Sequence, residues 1–507
     1  MPRPGRLRIV GGLVITLDRE LGTIDDGEVT IEGDRIVHVG RRMPSQDDDK
    51  AAEAIDARGA IVLPGLVNAH THSYGVYGKG SVDKIPLDLF IPRVTALGDA
   101  FEDEDIYLAA ALTAVESLKA GTTCLFDHLR FPHGRPLQSV AAAIQAYLEV
   151  GIRATVAPMF GDRSLVDSLP ETLGQTPPRL VPSSVADVDA YFGACAEAVS
   201  RWHGAEDRIQ VFLGTDGPQR CSMTLLERSR AFLDAYPVGM QSHVLETLTQ
   251  HVRGMQLYGR SLVAVLEELG LLGPRLSLVH FVWSDDNDHA RVASAGAAVV
   301  HCPGVNLQLG SGIAPVLEML AKGIPVALGT DGANSLDLGM FTQIKLALLI
   351  HRVTHPWYHK WIGAEEVFRM ATEGGAEVHG MRGEIGVLRP GARADVTLLD
   401  RYTDAFNPTD EPLLALATRE TGSSVRTVIV GGQVVLRDRR CTRVDEDALL
   451  ERLVKRRRAL EPVIAGRQSE ILATHRAYLE AMYQHVMRTA TGDTRLARPP
   501  AAWPQPD

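Results

Sequence analysis

The chain has 507 residues, 45% hydrophobic and 23% charged, enough apolar material for a large core and a smaller second module. Its 63 acidic and 52 basic residues leave a net charge of −11, which argues against nucleic acid as a partner. No run of about 18 apolar residues predicts a membrane span, and the five scattered cysteines (Cys124, Cys195, Cys221, Cys302, Cys441) fit neither a disulfide framework nor a thiolate zinc site.

The first residues, Met1-Pro2-Arg3-Pro4-Gly5-Arg6, lead straight into a strand pattern without the apolar stretch of a secretory signal, so the expected compartment is the cytoplasm. Short strands at 7–17, 27–31 and 35–39 are separated by the turns Asp25-Asp26-Gly27 and Glu32-Gly33-Asp34, and 61–63 enters the next unit. Short apolar runs then alternate with helical patterns such as 105–118 and 225–235. Eight strands are predicted, ending at His72, His128, Asp162, Asp216, Glu246, Trp283, Asn306 and Asp331. Eight successive β/α units predict a closed α/β barrel of the (β/α)8, TIM-like kind rather than an open doubly wound sheet. Residues 163–185, rich in Pro, Ser and Leu, read as a loop after the third strand. Strand patterns return at 394–399 and 425–429, with a hairpin over 430–435. The expected organisation is a barrel over 61–389 and a small composite β-sandwich from 1–60 and 390–445. A C-terminal helix and tail follow over 446–507, the helix predicted to 485 and the last twenty residues loose.

In a β/α barrel, chemistry gathers at the C-terminal ends of the strands. The first strand ends Asn68-Ala69-His70-Thr71-His72, and residues two apart on a strand face the same side. The fifth ends at His243 with Glu246 three residues on, the sixth carries His280, and the eighth ends at Asp331. Histidines and a carboxylate converging on one mouth suit zinc or ferrous iron.

Pro64-Gly65-Leu66-Val67-Asn68-Ala69-His70-Thr71-His72 resembles the signature of the amidohydrolase superfamily. The runs His301-Cys302-Pro303-Gly304-Val305-Asn306 and Gly329-Thr330-Asp331-Gly332 are similar to its aminohydrolase/chlorohydrolase branch, which includes S-adenosylhomocysteine deaminases, guanine deaminases and triazine hydrolases. Gly391-Ala392-Arg393-Ala394-Asp395-Val396 resembles the family's return into its β-domain. The resemblance implies His70, His72, His243 and Asp331 as metal ligands, with Glu246, His280 and Asp331 in catalysis. It implies one divalent ion, zinc first and iron second. Two-metal members commonly bridge their ions with a modified lysine or a carboxylate from the fourth strand, and 208–214 contains no lysine. Asp216, just beyond, is the nearest alternative bridge.

Such a metal acidifies water towards a pKa of about 7. The implied reaction is hydrolytic deamination of a purine, pyrimidine, pterin or triazine-like ring. The alternatives are opening of a cyclic amide or imide, displacement of halide, or an inactive scaffold. Gln219 and Arg220 lie where the branch reads its substrate. Relatives of the S-adenosylhomocysteine type carry histidine and tyrosine there, so this departure points away from adenosine-type substrates. Arg220 either holds ring oxygens or a carboxylate, or caps its loop. His128 either contacts substrate or makes a structural hydrogen bond, and Trp283 either stacks on a ring or caps the barrel. The expected partner is a small heterocyclic molecule, with no nucleic acid and no membrane, and the expected assembly is a homo-oligomer (dimer or tetramer).

Overall fold

A computed structural model describes residues 5–42, 53–132, 134–171 and 187–489. Eight parallel strands follow one another in chain order around a barrel, from Leu66–Thr71 to Val326–Leu328, the fourth split into Ile209–Val211 and Leu213–Thr215. They are buried along almost their whole length, as expected of strands covered on both faces. The first and eighth strands meet through side chains as well as backbone. Asn68 Nδ2 donates to Thr330 Oγ1 at 2.7 Å, Thr330 N–H donates to Asn68 Oδ1 at 3.1 Å, and Asp331 N–H donates to the His70 carbonyl at 3.0 Å. That closure sets Asp331 beside His70.

The seventh strand is shorter than its sequence pattern predicts. It runs Ala298–His301, and Pro303–Gln308 is a helix. Pro303 at the first helical position explains the stop, because its fixed φ is preset for a helix and it has no N–H to give a ladder. Asn306 therefore sits on a helix rather than at a strand end. The third strand stops at Phe160, the fifth at Val244 and the sixth at His280, so Asp162, Glu246 and Trp283 lie in the loops that follow.

The two chain ends build a second sheet along one continuous path. Strands within Arg6–Ile15, Thr23–Glu32, Arg35–Arg41 and Ala60–Pro64 join Val396–Asp400, Val425–Val430, Gln433–Arg437 and Arg440–Cys441. The path curls until its hairpins touch: a Cβ at Gly432 would fall 1.9 Å from the Gly33 carbonyl oxygen. Ile9, Ile31, Ile36, Val396 and Ile429 share the apolar core so enclosed. A buried ion pair ties this sheet to the barrel. Arg153 of the third barrel strand donates to both oxygens of Asp395 at 2.9 Å, and Gly431 N–H donates to Asp395 at 2.8 Å. Asp395→Ala leaves that guanidinium buried and unpaired, so it should cost about 3–5 kcal/mol, read as a fall in the denaturant midpoint.

The helix Glu446–Thr489 extends four residues beyond the predicted 485, and the tail after it lies outside the described residues, as does 172–186 of the predicted loop. Arg456 donates to both oxygens of Asp105 at 2.9 and 2.7 Å, and Arg457 Nε donates to the Tyr77 carbonyl at 3.0 Å. These bonds lay the helix against Leu87–Gly98 and Asp103–Lys119, at the barrel's mouth. No helix among the described residues is long and apolar enough to cross a membrane.

Candidate metal centre and active site

The tautomers at the mouth follow from the partners of each ring. His70 Nδ1 lies 2.6 Å from Gln241 Oε1, while the Gln241 amide nitrogen donates to the Ala69 carbonyl and Ser277 Oγ, both at 3.1 Å. Gln241 thus offers His70 only an acceptor, and the His70 proton sits on Nδ1. His72 Nδ1 donates to the His128 carbonyl at 2.7 Å, and His243 Nδ1 to the Asp216 carbonyl at 2.5 Å. His280 Nδ1 faces Asn306 Oδ1 at 3.0 Å. Four imidazoles protonated at Nδ1 leave four Nε2 lone pairs turned inward.

Those nitrogens surround Asp331. His70 Nε2 is 3.8 Å from Asp331 Oδ2, His72 Nε2 is 3.9 Å from Oδ1, and His280 Nε2 is 3.6 Å from Oδ2. His72 and His243 bring their Nε2 atoms within 3.3 Å of each other, and His70 Nε2 is buried without a hydrogen-bond partner. Facing lone pairs repel unless a cation lies among them, so this donor set fits a metal. Two overlapping triads, His70-His243-His280 and His70-His72-Asp331, each hold their ligand atoms within 4.8 Å of one another.

Backbone conformation aims these side chains. Leu245 (φ 56°), His280 (φ 73°), Phe281 (φ 53°) and Asp331 (φ 58°) all occupy the left-handed region, which costs such residues about 1–3 kcal/mol each. The fifth and sixth loops are laced together. Phe281 N–H donates to the Val244 carbonyl at 3.1 Å, and Trp283 N–H donates to the Leu245 carbonyl at 2.8 Å. Glu246 N–H donates to Gln250 Oε1 at 2.9 Å. Together these place Glu246 Oε2 3.7 Å from His280 Nε2.

Burial pushes His70, His243 and His280 below the ordinary imidazole range, and for His70 the neighbouring His72 and His243 push the same way. Burial raises Asp331, but the surrounding imidazoles outweigh it and hold the carboxylate below its usual range. Glu246 goes far the other way, raised well above the carboxylate range by burial and then by Asp331 and Asp88. One mouth therefore holds two carboxyl groups whose surroundings push them in opposite directions, a pairing suited to acid–base work.

A cavity of about 90 Å³ opens on this centre, with His72, His243, Glu246, His280 and Asp331 in its wall. Gln219 and Arg220 also line it, and Arg220 Nη1 is paired with Asp216 Oδ2 at 3.0 Å. Asp216, which also lines this cavity, is thus engaged through both its carbonyl, by His243, and its carboxylate, by Arg220. His128 is fully buried behind the other imidazoles, its ring stacked on His243 at 4.8 Å, and neither of its nitrogens has a partner. Trp283 donates its indole N–H to the Ser311 carbonyl at 2.9 Å and, like His128, is absent from the cavity wall.

Two charged wall residues are missing from the set read off the sequence, Asp88 and Arg130. Asp88 sits in the first turn of the helix Leu87–Gly98, where an acid needs no explanation beyond the helix dipole. Arg130 directly follows the second strand, so the strand-end rule could have found it. Asp88 accepts from Thr249 Oγ1 at 2.7 Å, its other oxygen is buried without a partner, and burial pushes its pKa up to about 6. A raised acid favours the protonated form in the fold, so its contribution is complete below 3.8 and lost as pH rises through about 6. Asp88→Asn should therefore stabilise the protein by about 3 kcal/mol at pH 8 and by about half that at pH 5, measured by unfolding at both pH values.

An eight-stranded parallel barrel with this donor set at the ends of its strands defines a metal-dependent hydrolase. Residues 61–435 match the amidohydrolase family model, and the chain belongs to that family. It is 32% identical over 452 residues to 5'-deoxyadenosine deaminase of Methanopyrus kandleri, covering 88% of this chain and 97% of that one. It is also 32% identical over 459 residues to 5-methylthioadenosine/S-adenosylhomocysteine deaminase of Syntrophobacter fumaroxidans, covering 90% and 98%. Among solved structures, atrazine chlorohydrolase from Arthrobacter aurescens complexed with zinc superposes with a TM-score of 0.79 at 28% identity, covering 90% of this chain and 100% of that one. An adenosine deaminase from Xanthomonas campestris with bound zinc gives 0.79 at 25%, with the same coverage. The protein is an enzyme acting on C–N bonds other than peptide bonds, and a divalent metal fits its centre.

Proposed function

We propose that this enzyme is a one-metal aminohydrolase that replaces an amino group on a nitrogen heterocycle with oxygen from water, releasing ammonia. His70, His72, His243 and Asp331 would hold the ion, zinc first and ferrous iron second. When bound, such an ion lowers the pKa of water from about 16 to about 7. Glu246 and His280 remain for the reaction itself.

The observation that carries this reading is the buried Glu246 carboxyl beside the donor set, its Oε2 3.7 Å from His280 Nε2, with burial and then Asp331 and Asp88 raising it above the carboxylate range. Expelling an amine from a stable ring requires a proton on the ring nitrogen as water attacks the neighbouring carbon, and Glu246 supplies it. His280, its Nδ1 held by Asn306, offers a bare Nε2 that orients the attacking water and, once protonated, stabilises the oxygen. Asp331, ionised at neutral pH, takes a proton from the water and passes it to the departing amino group. One water is consumed: its oxygen stays on the ring, one of its protons leaves with the amine by way of Asp331, the other returns to Glu246 as the hydroxyl becomes a carbonyl, and ammonia leaves.

The deaminases among the relatives support the same chemistry and bring adenosine compounds into the substrate screen. The test is ammonia release across aminopurines, adenosine compounds, aminopyrimidines, pterins and aminotriazines, using zinc-loaded protein. Release from at least one ring class is expected. Failure throughout, with hydrolysis of cyclic amides in the same preparation, would move the enzyme to ring opening.

A further inference from the structure

Arg130 lines the metal-site cavity and also a second cavity of about 130 Å³, and Met159, Leu165, Asp216 and Arg220 border both. The arginines of the second cavity are not equivalent. Arg220 is paired with Asp216 through Nη1, although its Nε is buried without a partner, and Arg163 donates from Nε to the Cys221 carbonyl at 3.0 Å. Arg130 makes no hydrogen bond or ion pair among the described residues, and its Nε is buried without a partner. Its position is fixed by packing, since a Cβ on Gly98 would lie 2.5 Å from that Nε. A partly buried guanidinium that no described residue answers is costly, and an anion arriving from outside would offset that cost.

Charge also varies along the combined space. The acids Glu246 and Asp88 line only the metal-site cavity, and Arg163 lines only the second. The second cavity sets Arg130, Arg163 and Arg220 against Asp99 and Asp216, the latter already held by Arg220. The end away from the metal is thus the one suited to negative charge.

We infer that Arg130 reads the substrate, and that the substrate is a nitrogen heterocycle bearing a carboxylate, held at the junction of the two cavities by paired hydrogen bonds from the Arg130 guanidinium. Planar guanidinium and planar carboxylate match in two parallel N–H···O bonds, which a lysine ammonium cannot reproduce. The inference rests on the aminohydrolase reading for what happens to the ring, though not for the carboxylate contact.

The test is calorimetric titration of zinc-loaded protein with matched pairs: pterin and pterin-6-carboxylate, uracil and orotate, 2-aminopyrimidine and 2-aminopyrimidine-5-carboxylate. In at least one pair the carboxylate should bind about ten-fold tighter or more than the neutral ring. Arg130→Gln should abolish that preference while leaving the neutral ring's affinity within about two-fold, and Arg130→Lys should restore only part of it. Because Lys keeps the charge and most of the stem, that variant serves if the Gln protein does not fold. No preference in any pair, or one that survives Arg130→Gln or is fully kept by Arg130→Lys, overturns the inference. Ammonia is measured in the same samples. Deamination without carboxylate preference removes only this inference, while carboxylate preference without ammonia from any ring removes only the proposed reaction.

Discussion

Glu246→Gln is expected to keep its metal and lose about 10²–10⁴-fold in kcat, the usual worth of a positioned acid. The geometry motivates both halves of that result. Glu246 lies in the loop after the fifth strand, 4% exposed, with its backbone N–H on Gln250 and its carboxyl 3.7 Å from His280 Nε2. Gln fills the same space and keeps hydrogen bonding, but it has no proton to transfer. If Glu246 served as a ligand instead, the Gln variant would lose metal and activity together. Metal content and single-turnover rate on the same sample separate the two outcomes.

His70→Ala and Asp331→Ala should each remove metal and turnover together, with activity falling to the level of the metal-free protein. His70 belongs to both candidate triads, and Asp331 is the carboxylate around which the Nε2 atoms gather. The fold should survive in both variants, because the barrel's strands pack through a continuous apolar core rather than through the ion. Far-UV circular dichroism close to wild type, with metal below about one tenth of an equivalent, is the expected pair of readings on the scale that metal loss from a ligand deletion produces. A variant that keeps a full equivalent would remove that residue from the ligand set.

Much of this centre was legible in the sequence because the barrel imposes an order on it. His70 and His72 share a face by the two-residue period, and His243, His280 and Asp331 each stand at or just past the end of a strand, where the fold collects chemistry. What supports those residues was not legible. Gln241 looks like any polar residue in a strand, and only the structure brings its amide against Ala69, Ser277 and His70. By its sequence pattern Asn306 ends a strand, because an apolar run does not reveal that Pro303 starts a helix there. On that helix it faces His280. Arg220 carried the sequence argument for substrate polarity, yet its partner Asp216, four residues earlier, is visible only once the loop is folded. Arg130, unpaired among the described residues, stands just past the end of the second strand, where the strand-end rule reaches it but no family motif marks it.

The most direct measurement of the central claim is a titration of metal-free protein with zinc, following ammonia release from a responsive aminoheterocycle against equivalents added. Four ligands and a fourth strand without lysine, its Asp216 already engaged, predict that activity rises linearly and levels off at about one equivalent per chain, as for other one-metal hydrolytic sites. A plateau at two equivalents would contradict the single-metal centre, and ammonia release that persists in the presence of a strong chelator would contradict the metal's part in the reaction altogether.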